Sequence, residues 1–238
     1  MNLDGKKAIV LGGTSGIGLA AVQLLDSAGA TVLAAGRSES NIEMARKTTE
    51  DSVTFKTLDV LDRDAMATLF SDFATFDCLI NCATGGERAS GPFLQMDLDG
   101  FQGSFRKLWG YTNSVRIGAE FMSPTGAIVL VSGFPARKSN PGSSAIATVG
   151  NAVEGFARAI APEIAPRRIN VVCPGLIDTP MFALEGSARK EFLNKATANT
   201  LIPRAGTADE VASAIIFALE NDYMTGSTID IEGGALLP

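Results

Sequence analysis

Histidine is absent from this chain of 238 residues. That removes Ser-His-Asp catalysis, imidazole acid/base chemistry and most zinc sites together. Cysteine is scarce and odd in number: Cys78, Cys82 and Cys173, each in an apolar context. They read as core thiols in a reducing compartment, not as a disulfide framework or a metal pair. No metal site is expected. No apolar run reaches the roughly 18 residues that span a membrane. The run that follows Lys6 and Lys7 is too short for a signal segment and reads as a buried strand. A basic excess is missing too. The formal net charge is -6, which disfavours nucleic acid and anionic membrane as partners. A cytoplasmic protein acting on a small molecule is expected. Tyrosine occurs twice, as Tyr111 and Tyr223. Val115 and Ser227 stand one helical turn after them, Gly118 and Asp230 two turns after, so neither has a lysine at such spacing.

What the chain does have is alternation. Short runs rich in Val, Ile and Leu occupy residues 6–11, 31–35, 53–58, 78–81, 127–131, 169–173 and 228–231. They lack polar alternation, as strands covered on both faces do. Between them lie helical segments at 16–27, 40–49, 63–73, 101–121, 144–161, 188–196 and 208–219. This predicts an α/β fold: a single doubly wound Rossmann domain over 1–238, with a parallel seven-stranded sheet and helices on both faces. Residues 84–100 are the least regular. Residues 181–204, following Pro180, predict a substrate lid.

The first chemical motif is Gly12-Gly13-Thr14-Ser15-Gly16-Ile17-Gly18, between a strand and a helix. Its glycines permit a tight turn and close approach of backbone to a pyrophosphate. The helix behind it offers free N–H groups and a positive dipole end. The same loop without a ligand would be only a helix start.

With this loop the chain resembles the short-chain dehydrogenase/reductase family, over essentially its whole length. The G-x-x-x-G-x-G spacing of Gly12, Gly16 and Gly18 is that family's. Asp59-Val60 resembles its adenine-contacting pair. Asn81-Cys82-Ala83-Thr84 stands where the family has Asn-Asn-Ala-Gly. Pro174-Gly175-Leu176-Ile177-Asp178-Thr179-Pro180 is similar to the segment that clamps the nicotinamide. Ile229 to Gly234 resembles its last strand and Gly-Gly ending. The resemblance implies a bound nicotinamide dinucleotide. It assigns Gly12, Thr14, Ser15, Gly16, Ile17, Gly18, Asp59, Val60, Asn81, Ala83, Thr84, Pro174, Gly175, Ile177 and Thr179 to that site. It also implies a homo-oligomer, dimer or tetramer, paired through the helices at 101–121 and 144–161, with Trp109 and Tyr111 in a helix contact. Ile215, Ile216 and Phe217 read as core.

The second strand leads into Gly36-Arg37-Ser38. An acidic residue there would accept from a ribose 2′-hydroxyl and repel a 2′-phosphate. Arg37 with Ser38 instead suits the phosphate, so NADP(H) is favoured over NAD(H). A solvated arginine at a helix start would leave the preference open.

The catalytic positions depart from the family. In the register set by Ala152-Val153-Glu154-Gly155, Ile146 occupies the tyrosine position and Gly150 the lysine position of Tyr-x-x-x-Lys. Gly133 falls at the serine position, beside Ser132. Lys107 stands where the family has an asparagine. Lys107 is the one cation placed on that wall, so it is the leading catalytic candidate, by a lowered pKa. The bland alternative is a lysine on a solvated face. Ser132 and Ser144 are the further candidates, with Ser143 beside them. For Ser132 the alternative is a hydroxyl bonded to backbone; for Ser143 and Ser144 it is a helix cap. Three functions stay open: an NADP(H)-dependent oxidoreductase acting on a small carbonyl or alcohol, a non-redox isomerase or lyase, and a catalytically silent NADP(H)-binding protein.

Overall fold

The computed structural model describes residues 1–84 and 88–237. Seven strands form one sheet: β1 Lys7–Leu11, β2 Thr31–Gly36, β3 Thr54–Thr57, β4 Phe76–Asn81, β5 Met122–Val131, β6 Arg168–Pro174 and β7 Thr228–Ile231. Their order is β3-β2-β1-β4-β5-β6-β7, and every neighbouring pair is parallel. From β1 the chain winds outward to β3, returns to the middle at β4 and winds the other way. Such a reversal opens a crevice beyond the carboxyl ends of β1 and β4.

The helices are α1 Gly16–Ser27, α2 Glu39–Arg46, α3 Arg63–Asp72, α4 Leu98–Ser104, α5 Arg106–Gly118, α6 Ser144–Ile164, α7 Gly186–Thr197 and α8 Ala208–Glu220. Alternate residues of β1 feed opposite cores. Ala8 and Val10 pack with Val22 of α1 and Ile215 of α8. Ile9 and Leu11 pack with Phe70 of α3 and Val115 of α5. Both faces of the strand are covered, which is why its sequence shows no polar alternation. Phe70 and Phe76 are fully buried, 5.4 Å apart at their centroids; each contributes about 1.5–3 kcal/mol of burial.

Local signals set the helix starts. The Asp62 carboxylate accepts from the Ala65 N–H at α3, and Thr207 and Glu210 form a reciprocal capping box at α8. Three expectations are corrected. The helix expected over 101–121 is two, α4 and α5, hinged at Phe105. Gly100 and Gly103 weaken the first piece, and the Ser104 hydroxyl donates to the Gly100 carbonyl. Strand β5 begins at Met122, five residues early, with a register irregularity against β4 between Met122 and Ala127. Phe217 is 50% exposed, because it lies on the outer face of α8 while Ile215 faces the sheet. Among the described residues no helix is long and apolar enough to cross a membrane.

Candidate active site

A cleft of about 630 Å³ lies across the carboxyl ends of the central strands. The glycine loop forms its floor. Gly12 has φ +76°, and a Cβ there would lie 2.7 Å from the Ala83 nitrogen. A Cβ on Gly18 would collide with the Gly12 carbonyl oxygen. The loop therefore requires glycine at both places. Ser15 precedes α1 in extended conformation and caps no N–H, and the first turn of α1 holds no acidic residue. The free N–H groups and positive dipole end thus face the cleft, with Thr14, Ser15, Gly16, Ile17 and Gly18 along it. An uncapped helix start behind a close-packed glycine turn fits a pyrophosphate.

At one end the cleft is bordered by Gly36, Arg37, Ser38, Asn41, Leu58 and Val60. Arg37 is exposed and makes no ion pair among the described residues. Ser38 is the cap of α2: its hydroxyl accepts from the Asn41 N–H at 3.2 Å. Asp59 does not line the cleft. Its carboxylate turns back to accept from the Leu61 N–H at 3.0 Å.

Asn81 is fully buried and also off the cleft. Its amide donates to the Ser114 hydroxyl and accepts from the Ala83 N–H, so it shapes the turn that presents Ala83 and Thr84. Opposite, Pro174, Gly175, Ile177 and Thr179 line the wall. Cys82 joins the lining, its thiol pushed up to about 12 by burial.

Lys107, on the first turn of α5, and Ser132, just past β5, meet in the cleft. The lysine Nζ donates to the Ser132 carbonyl at 3.2 Å and lies 5.4 Å from the Tyr111 ring centroid. Burial, and then repulsion from the Arg88 guanidinium, lower its pKa to about 7. Lys107 thus lies along the cleft and not on an open helix face. The Ser132 hydroxyl is already committed: it donates to Glu154 at 3.2 Å, a side chain and not backbone. Glu154 is buried and pairs with Arg137 at 3.3 Å, which reaches Asp230 at 3.1 Å. Ser144 does not line the cleft, and its hydroxyl lies 3.9 Å from the Met96 sulfur. Ser143 stands at the start of α6 without capping it, because its hydroxyl donates to the Asn140 carbonyl.

Ile146, Val149 and Gly150 of α6 border this end with Gly133, Phe134 and Pro135. A Cβ on Gly150 would lie 2.8 Å from the Ala136 Cβ. The sequence reading passed over Arg88 and Ser104, which also line the cleft. A signal existed: Arg88 is the sole cation in residues 84–100. Residues 85–87 of that irregular segment lie outside the described residues.

Across the opening, Met181 and Phe182 begin the expected lid. Phe182 packs against Phe192 of α7 with the rings tilted by 50°, centroids 5.4 Å apart. Arg189 of α7 pairs with Asp178 and donates to the carbonyls of Thr179, Phe182 and Leu184. One guanidinium thus pins the whole 178–184 strap.

A family model described as enoyl-(acyl carrier protein) reductase matches residues 12–235. A solved structure described as a short chain dehydrogenase/reductase family protein superposes with TM-score 0.87 at 31% identity, covering 100% of both chains. The chain belongs to the short-chain dehydrogenase/reductase family. Within that family it is similar to a 3-oxoacyl-(acyl-carrier-protein) reductase of Thermotoga maritima, 31% identical over 100% of each chain. The corresponding reductase of Haemophilus influenzae is 29% identical, over 99% of this chain and 100% of that one. A small-chain dehydrogenase solved in complex with NADPH matches with TM-score 0.82 at 29% identity, covering 99% of this chain and 100% of that one.

Proposed function

We propose that this chain is an NADP(H)-dependent oxidoreductase of small carbonyl or alcohol substrates, in which Lys107 replaces the family's tyrosine as proton donor. The observation that carries the reading is the position of Lys107: inside the cleft, bonded to one backbone carbonyl, with a pKa of about 7. The names of the similar reductases and the NADPH complex of a similar dehydrogenase support it.

Gly12 to Gly18 and the start of α1 hold the pyrophosphate, and Arg37 with Ser38 reads the 2′-phosphate. Ala83, Thr84 and the Pro174–Thr179 wall fix the rest of the nucleotide. Asn81 acts through the turn it braces; Asp59 and Ser144 have no direct part. When bound, the reduced nicotinamide supplies a hydride. The Lys107 ammonium gives its proton to the carbonyl oxygen as negative charge develops there, and is left as the amine. Ser132 fixes the lysine through its carbonyl, while Met181 and Phe182 exclude water. We also take the protein to be a homo-oligomer paired through α5 and α6, since Trp109 stands 55% exposed on α5.

Fluorescence titration with NADPH and NADH, followed by turnover with Lys107→Met, tests the reading. Tight NADPH binding, and turnover lost in the variant, support it. The absence of a lysine at Gly150 favours the silent-scaffold reading, which leads if neither nucleotide binds. Binding without turnover of any carbonyl leaves the isomerase or lyase reading.

A further inference from the structure

The protein carries 26 acidic against 20 basic residues. Yet among the described residues no Asp or Glu lines the cleft, whereas Arg37, Arg88 and Lys107 do. A cavity so opposed in sign to its protein is arranged for anions. The nucleotide accounts for part of this. Its 2′-phosphate meets Arg37 and its pyrophosphate meets the start of α1. Neither phosphate accounts for Arg88 and Lys107. These stand with Ser132 and Gly133 at the far end, where the nicotinamide and the substrate meet and the cofactor carries no negative group.

Arg88 adds to the cost of charging Lys107, since it stands close enough to disfavour that charge. Among the described residues no ion pair offsets either one; Arg88 spends one N–H on the Met181 sulfur at 3.4 Å. Arg88 is exposed and Lys107 partly buried, so an anion entering the cleft here meets two cations and, among the described residues, no carboxylate. The surroundings narrow the choice. Phe134, Ile146, Met181 and Phe182 are apolar. Two donors in an apolar chamber suit a carboxylate, which a guanidinium engages with a planar fork.

We infer that the substrate is an oxo acid (or the matching hydroxy acid), its carboxylate held by Arg88 beside the carbonyl that faces Lys107. The inference deepens the reductase reading and rests on it for the word substrate. Arg88 is the specificity residue; Met181, touching it from the lid, couples occupation of the site to closure.

The test is calorimetric titration of the NADP⁺-loaded protein with benzoylformate and acetoacetate, each beside its methyl ester. Binding needs no turnover, so it separates this inference from the redox reading. At least one acid is expected to bind about tenfold or more tightly than its ester, and to weaken as salt is raised. Arg88→Gln should remove that preference while leaving ester and NADP⁺ affinity within about twofold; Arg88 is exposed, so the fold survives. Arg88→Lys should restore part of it. Equal affinity for acids and esters, or a preference that survives Arg88→Gln, overturns the inference even if carbonyls are reduced. Selective acid binding without NADPH turnover sustains the anion site and sinks the redox reading instead.

Discussion

Gly150 and Ala136 approach so closely that a Cβ on the glycine would lie 2.8 Å from the alanine Cβ. The turn Phe134–Ala136 therefore fills the space through which a lysine side chain at 150 would leave α6. A larger side chain at 150 would have to displace that turn. The double change Ile146→Tyr with Gly150→Lys should not restore a Tyr-x-x-x-Lys centre. It should instead lower stability by about 1–3 kcal/mol through overpacking. Thermal unfolding and carbonyl turnover of the double variant check this. A stable, faster enzyme would refute it.

With Lys107 as the proposed proton donor, a pH dependence is expected. Protonated, it can donate, so the rate of carbonyl reduction should fall as pH rises through about 7, and alcohol oxidation should rise. Stability has its own sign. The folded pKa lies below the ordinary lysine value of 10.5. Between the two, the unfolded chain holds a proton that the folded chain has released, so stability increases with pH across that window. Lys107→Met should then be the more stable protein at pH 6, by about 1–2 kcal/mol, with the advantage shrinking toward pH 10. Denaturant melts at both pH values, beside the activity profile, separate lost chemistry from lost structure.

Arg37 is exposed at the end of the cleft proposed to take the adenosine. Arg37→Ala should weaken NADPH binding by about 10- to 100-fold and change NADH binding little, since only the former carries a 2′-phosphate. Parallel fluorescence titrations decide it; equal losses for both nucleotides would remove Arg37 from that role.

Glu154 is buried between Ser132 and Arg137. Arg137→Ala leaves it with Arg158, which is largely exposed and 3.8 Å away. A loss of about 1–3 kcal/mol is expected, read as a lower midpoint in urea with unchanged slope. The Ser132 hydroxyl keeps its bond to Glu154 in this variant, so cofactor affinity should stay put.

Arg189→Ala removes every bond that pins 178–184 to α7 through this guanidinium. Substrate KM should rise while melting temperature changes by only a few degrees. A proteolysis time course should show earlier cutting in this segment than in the parent.

The sheet was legible because each strand must satisfy two cores, and β1 shows that demand in four consecutive apolar residues, Ala8 to Leu11. The glycine loop was legible because sterics at Gly12 and Gly18 leave no other residue. The surroundings of Asp59 and Asn81 were not legible. Their motif positions are kept, but each spends its side chain on neighbouring backbone or hydroxyl groups instead of the cleft. The break at Phe105 was hidden since Ser104 competes for the Gly100 carbonyl only once folded. Arg88 was missed because nothing periodic surrounds it; its meaning lies in what stands opposite, Lys107 and Met181, far away in sequence.

Trp109 follows Lys107 by two residues on α5 and is the only indole in the chain. Its emission comes from one place, and that place is the helix carrying the proposed proton donor. Half in water, it should shift to shorter wavelength if α5 is covered by a second copy. Quenching on nucleotide addition would time events at the cleft. The molecule therefore comes with its own optical probe, and assembly and ligand entry can be followed in the unlabelled, unmutated protein.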